Sequence, residues 1–334
     1  MKDVYILGIE SSCDETSVSI VKNGSVEIAT TVLTQMDTHA LYGGVVPEIA
    51  SRMHVENITL VVDETLKKAS MKMEDITAIS VTYGPGLVGS LLIGIECAKT
   101  LAYVYQKPLV PVHHIAGHIY ANNLEHEMVF PLIALVVSGG HTELVLMEDH
   151  YTFKKLGGTL DDAVGEAYDK VARVLNLPYP GGPKVDSLAH IGQDCYPLPL
   201  PLDDDSYNFS FSGIKSAVIN LNHKLLQKNE IVNKENLACS FQSRAVQILT
   251  KKTMKALNEY DVSNLIVAGG VAANKGLRER LKTECRERNI NLSIPSFQYC
   301  TDNAAMIAAA GYYAYINNDR AGLDLNATPG AKLY

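Results

Sequence analysis

Tyr5-Ile6-Leu7-Gly8-Ile9-Glu10-Ser11-Ser12-Cys13-Asp14-Glu15-Thr16-Ser17-Val18-Ser19-Ile20-Val21 decides the fold. Tyr5 to Ile9 and Thr16 to Val21 are apolar or alternating runs with β-branched residues. The polar turn Ser11 to Glu15 joins them, which predicts a β-hairpin opening a sheet. Residues 25 to 34 add a third strand. A helical pattern runs from about Pro47 to Lys68, with Pro47 in the first turn. The strand Ile79 to Thr82, the loop Tyr83-Gly84-Pro85-Gly86 and a helix from about Val88 to Tyr105 follow. Leu109 to Val112 is a strand that runs into His113-His114-Ile115-Ala116-Gly117-His118, the start of another short helix.

The second half repeats this plan. Leu132 to Val137 reads as a buried strand, Ser138-Gly139-Gly140-His141 as a turn, and Thr142 to Met147 as the returning strand. Leu265 to Ala268 is a strand ending in Gly269-Gly270-Val271-Ala272-Ala273-Asn274 before a charged helix. A last strand near Leu292 to Ile294 precedes a helix from Asp302 to about Ile316. A duplicated α/β unit with hairpin-borne Gly turns is the plan of the actin, Hsp70 and sugar-kinase superfamily. It predicts two lobes, 1–130 and 131–334, and the second carries an insertion at about 178–235. That segment is rich in Pro, Gly, Asp and Ser and weak in period.

Bulk composition narrows the function. The chain has 334 residues, 47% hydrophobic and 20% charged, as in a globular protein rather than a disordered one. No uninterrupted apolar run reaches the roughly 18 to 20 residues of a membrane span. The N-terminal residues enter a strand at once, without a signal-like leader. A cytoplasmic protein is expected. The six cysteines show no zinc-ribbon or thioredoxin spacing and are expected to be free thiols. A formal net charge of −8 disfavours holding nucleic acid by the overall field. The run Lys275, Arg278, Arg280, Lys282, Arg286 and Arg288 is a local basic surface or simply a solvated helix face.

Several residues can carry chemistry. His114 and His118 are four apart, so a helix puts both imidazoles on one face, which suits one metal ion. No Glu follows the first histidine, so the HExxH metallopeptidase arrangement is missing. Asp302 is a candidate third ligand and equally a helix N-cap. The turn Ser138-Gly139-Gly140-His141-Thr142 can aim backbone N–H groups at a phosphate or a developing oxyanion. Gly269-Gly270 with Asn274 follows the same logic at a helix start. Asp162, Glu166 and Asp169 fall at i, i+4 and i+7 of an expected helix, a like-charge face suited to a cation or to sugar hydroxyls, or merely solvated. Asp14 and Glu15 add acids in the first hairpin turn.

The stretches Gly8 to Thr16, Gly84 to Leu87, His114 to His118, Val137 to Thr142, Tyr179 to Pro183, Gly269 to Asn274 and Cys300 to Ala304 together resemble the universal tRNA threonylcarbamoyladenosine transferase family, once labelled O-sialoglycoprotein endopeptidase. Leu160 to Lys170 resembles its bacterial or organellar branch. The resemblance implies an actin-like ATPase fold with an interlobe cleft. It implies transfer of threonylcarbamoyl from threonylcarbamoyl-AMP to N6 of adenosine 37 in tRNAs that read codons beginning with A. It implies iron or zinc held by His114, His118 and Asp302, and an adenylate bound by Val137, Ser138, Gly139, Gly140, His141, Asp169, Gly182, Asp186 and Asn274. Implied partners are tRNA, an inactive paralogue, a small P-loop ATPase and the synthase that supplies the adenylate. Asp14 or Glu15 would take the proton of the attacking amine. Rival readings are a kinase on the same fold, a metallopeptidase and a non-catalytic scaffold.

Overall fold

The computed structural model describes residues 2–334. They form two compact units, one made of the chain up to Met128 together with Pro295–Tyr334, the other of Val129–Ile294.

The first unit is built on the expected hairpin. β1 (Tyr5–Glu10), β2 (Glu15–Lys22) and β3 (Val26–Thr34) are antiparallel, and Ile9 faces Val18 in register. β4 (Ala78–Gly84) and β5 (Leu109–His113) join β1 in parallel, in the order β3-β2-β1-β4-β5. α1 (Met36–Ala40) and α2 (Pro47–Ala69) connect β3 to β4, and α3 (Val88–Tyr105) connects β4 to β5. Alternation along β1 splits its side chains. Leu7 and Ile9 pack with Val18, Ile20, Ile79 and Val81 against Ile58, Val61, Leu91 and Ile95 of α2 and α3. By length and composition α3 could cross a membrane, but its Leu91, Ile95, Ala98 and Ala102 belong to this core. α4 (His114–Tyr120) follows β5.

The second unit repeats the sheet. β6 (Leu132–Val137), β7 (Thr142–Met147), β8 (Phe153–Gly158), β9 (Asn264–Ala268) and β10 (Asn291–Ser293) take the order β10-β9-β6-β7-β8, which is the first sheet's order and polarity over again. β8 has no counterpart in the sequence reading, because its Phe153-Lys154-Lys155-Leu156-Gly157-Gly158 alternates poorly. Between β8 and β9 lie α5 (Val164–Val174), α6 (Gly181–Ala189), α7 (Ser212–Gln227) and α8 (Lys234–Glu259). The expected insertion at 178–235 thus contains two helices. α9 (Lys275–Arg288) precedes β10. On it Arg280 and Arg288 pair with Glu284, and Arg278 donates to the Ala272 carbonyl, so the basic run is partly neutralised within its own helix.

The chain then returns to the first unit through α10 (Phe297–Cys300) and α11 (Ala304–Ile316). This corrects the expected boundary, which placed everything after residue 131 in one lobe. The reason is steric. The face of the first sheet opposite α2 and α3 carries Gly8, Ser17 and Ser80, which leave room for a helix backbone. A Cβ on Gly8 would lie 2.5 Å from the Ala304 carbonyl oxygen. The Ala304 N–H donates to Ser17 Oγ at 2.9 Å, and Ser80 Oγ donates to the Ile307 carbonyl at 3.1 Å. The Ala-rich sequence of α11 supplies the matching surface. Among the described residues no disulfide joins any of the six cysteines.

Asp161 has a local role. It accepts the Phe211 N–H at 2.8 Å and the Ser212 N–H at 3.2 Å. Burial raises its pKa, but the Ser210 and Ser212 hydroxyls and these two amides outweigh that and lower it below the ordinary value. A lowered folded-state pKa means the tie is intact above the unfolded value of 3.8 and is lost as pH falls through the folded one. Hydrogen exchange at Phe211 and Ser212 should therefore stay slow at neutral pH and accelerate below about pH 4 relative to the β6 amides.

Candidate metal centre and substrate loops

β5 runs directly into α4, and the histidines divide the work at that junction. His113 Nδ1 accepts the Ile115 N–H at 3.2 Å and so caps α4. That places its proton on Nε2, which donates to the Ala331 carbonyl at 3.2 Å. The segment that ends at Ala331 is itself held at the Gly84-Pro85-Gly86 loop: Thr328 N–H donates to the Tyr83 carbonyl at 2.8 Å.

His114 and His118 stand one turn apart with ring centroids 4.6 Å apart. Asp302 Oδ1 lies 3.6 Å from His114 Nε2 and 3.1 Å from His118 Nε2. One ligand atom from each residue falls within 4.8 Å of the other two. The sequence left Asp302 as ligand or cap, and its neighbour takes the second role. α11 begins at Ala304, and Asn303 Oδ1 accepts the Met306 N–H at 3.0 Å. Gly117 makes room for a side chain rather than a ligand, since a Cβ there would meet Ile307 Cδ1 at 2.6 Å. Two imidazoles and a carboxylate, buried or half-buried, fit a divalent transition metal such as iron or zinc.

The surrounding carboxyls favour a cation. Burial opposes protonation of His114, but Asp302 and then Glu10 outweigh it and push its pKa up to about 9. What favours a proton there favours a metal ion as well. Burial, with Asp302 and Asp14 adding to it, pushes the Glu15 carboxyl up to about 10. Glu15 also accepts from Thr34 Oγ1 at 3.2 Å. The Asp14 carbonyl accepts the Gln35 N–H at 3.0 Å, which ties this turn to the end of β3. Sequence reading passed over Glu10, although a carboxylate closing an otherwise apolar strand is a signal.

In the second unit, Val137 ends β6 and the turn to β7 follows. Ser138 N–H donates to the His141 carbonyl at 2.8 Å, and His141 N–H donates to Ser138 Oγ at 3.1 Å. Gly139 and Gly140 are exposed, with open space where a Cβ would sit. Gly269 packs beneath this turn at φ +93°, where a Cβ would lie 2.5 Å from the Val137 carbonyl oxygen, so only glycine fits.

Asp169, on α5, accepts the Gly181 and Gly182 N–H groups at 2.8 and 3.2 Å. Burial nevertheless raises its pKa. Asp186, on α6, accepts from Gln242 Nε2 at 2.9 Å and from the Lys275 N–H at 3.1 Å. Asn274 caps α9 through the Leu277 N–H at 2.8 Å and donates to Gln242 Oε1 at 2.9 Å. Gln242 therefore joins Asp186 to Asn274, and it lines a cavity of about 370 Å³ with Cys239, Gln247 and Arg280. Gln242 lies inside a long helix, where no spacing in the sequence marks it. The expected acidic face does not form. Asp162 precedes α5 and pairs with Lys170 and Lys215, while Glu166 pairs with Lys170.

The model of the family described as tRNA N6-adenosine threonylcarbamoyltransferase matches residues 27–309. The chain belongs to that family. It is 61% identical over 326 residues to the protein of that name from Staphylococcus carnosus (strain TM300), covering 97% of this chain and 95% of the relative. The Staphylococcus aureus (strain MRSA252) protein of the same name is 60% identical over 326 residues, covering 97% and 96%. Among solved structures, T. kodakarensis HypF matches with a TM-score of 0.63 at 14% identity, over 94% of this chain and 48% of that one. The Acidaminococcus fermentans (R)-2-hydroxyglutaryl-CoA dehydratase component A matches with a TM-score of 0.55 at 16% identity, over 92% and 98%. At that identity they show the fold alone, and it is the duplicated actin-like one.

Proposed function

We propose that this chain transfers the threonylcarbamoyl group of threonylcarbamoyl-AMP to N6 of adenosine 37 in tRNAs that read codons beginning with A. The convergence of His114, His118 and Asp302, in a chain belonging to this family, carries the reading. Iron or zinc held by those three side chains would supply Lewis-acid polarisation of the acyl or phosphate oxygens. The chain's own residues do the rest. Gly139 and Gly140 offer turn N–H groups to the charge that develops as the carbonyl is attacked. Val137, Ser138 and His141 hold that turn in place. Asp169 and Gly182, with Asp186 and Asn274 joined by Gln242, form a prearranged polar wall for the adenylate. The attacking N6 amine is weakly basic, so orientation matters more than activation. Of the two turn acids Asp14 takes its proton, since a Glu15 carboxyl pushed up to about 10 already holds one at neutral pH.

The partners are tRNA, an inactive paralogue, a small P-loop ATPase and the adenylate-forming synthase, all in the cytoplasm. The test is reconstitution with tRNA, threonine, bicarbonate, ATP, the synthase and both partner proteins, followed by nucleoside mass spectrometry. Threonylcarbamoyladenosine should appear only when the chain is present. A His114→Ala variant should lose both its metal and its product. ATP consumption with phosphorylated product and unchanged tRNA would indicate a kinase. Full turnover by His114→Ala would remove the metal from the reaction.

A further inference from the structure

We infer that Glu10 is a positioning residue for the metal: its buried carboxylate holds the His114 ring so that Nε2, not Nδ1, meets the ion. The inference rests on the metal-ligand reading of His114, His118 and Asp302. Glu10 is fully buried at the end of β1. Its Oε1 accepts the Ser12 N–H at 2.6 Å, and its Oε2 accepts from Thr82 Oγ1 at 2.6 Å. These two donors fix the carboxylate plane. Oε2 then lies 3.2 Å from His114 Nδ1.

An ionised carboxylate only accepts hydrogen bonds, so this contact requires the proton on Nδ1. Ser12 Oγ, also 3.2 Å from Nδ1, accepts there too. In a neutral ring with Nδ1–H, the lone pair sits on Nε2. That is the atom facing Asp302. A carboxylate behind a ligating imidazole fixes its tautomer and ring orientation and raises its basicity. His118 provides the contrast, since its Nδ1 is buried with no hydrogen-bond partner among the described residues. The site thus has one ligand oriented by a carboxylate and one that is not.

The test uses the full-length chain stripped of metal, with zinc affinity read by competition with a chromogenic chelator. Glu10→Gln keeps the shape but not the function. An amide offers one acceptor where Ser12 N–H and His114 Nδ1–H both require one. Turned toward His114, its NH₂ drives the ring proton to Nε2. Zinc affinity should fall about 10- to 100-fold, the usual loss for an outer-shell carboxylate. The ¹⁵N imidazole spectra of the metal-free parent and variant, recorded above about pH 9 where the His114 ring is neutral, should show the variant's His114 moved toward the Nε2–H tautomer, a change that a merely structural role for Glu10 would not produce.

A folded Glu10→Gln protein that binds zinc within twofold of the parent overturns the inference. Where circular dichroism shows that this variant does not fold, Thr82→Val takes its place. It removes one anchor of Glu10 and should weaken zinc binding severalfold, and unchanged affinity there overturns the inference equally. His118→Ala is the control for the ligand set. If it too binds zinc like the parent, the three-ligand reading fails, whatever Glu10 does.

Discussion

Gly8→Val should cost about 3 kcal/mol or more of stability and should empty the metal site in the same step. The Cβ would lie 2.5 Å from the Ala304 carbonyl oxygen and 2.7 Å from the Ala308 backbone nitrogen. Both are main-chain atoms of α11, so relief requires the whole helix to move off the sheet. That motion breaks the Ala304 bond to Ser17 and withdraws Asp302, two residues before Ala304, from the histidines. Gly117→Ala is the comparison. Its Cβ would meet Ile307 Cδ1, the far end of a flexible side chain, and alanine gains up to about 1 kcal/mol over glycine within a helix. Thermal unfolding should therefore show a large loss for the first variant and a change within about 1 kcal/mol for the second. Equal losses in both would mean that the contact between α11 and β1 is not what limits this unit.

Asp302→Ala and Asn303→Ala, at adjacent positions, should separate chemistry from stability. Asp302 Oδ1 lies beside both histidine Nε2 atoms, so its loss removes the one carboxylate of the proposed ligand set. Metal content should fall below detection and transfer by at least about a hundredfold, because the metal's contribution to such steps is several kcal/mol. Folding should change little, since α11 is capped by Asn303. Asn303→Ala leaves the Met306 N–H without its side-chain acceptor and should cost about 1 kcal/mol. Its metal content should stay close to that of the parent. Elemental analysis and thermal melts of the two purified proteins check both statements. A metal-loaded Asp302→Ala protein would exclude Asp302 as a ligand.

Much of this was legible in residue order. Both hairpins, the parallel strands and α2, α3, α4 and α9 lie where periodicity and turn chemistry place them. The i, i+4 spacing put His114 and His118 on one face before any coordinates. Other elements were not legible, for identifiable reasons. The long α8 buries residues around much of its circumference, so its face has no clean period. The expected acidic face fails because the chain enters α5 only at Val164, and lysines meet Asp162 from two directions.

By itself, the sequence determined most local elements, the repeated strand–turn–strand plan and the pair of imidazoles, because these depend on neighbours within a turn or a hairpin. Only the tertiary structure decided that 295–334 belongs to the first unit, that Asp302 lies beside the histidines while Asn303 caps the helix, and that Glu10 stands behind His114. Those outcomes depend on which surfaces are small enough to touch. Gly8 and Ser80 on one strand pair, against Ala304, Ala308 and Gly311 on a distant helix, set that distance. Close contact between segments far apart in the chain leaves no period along it.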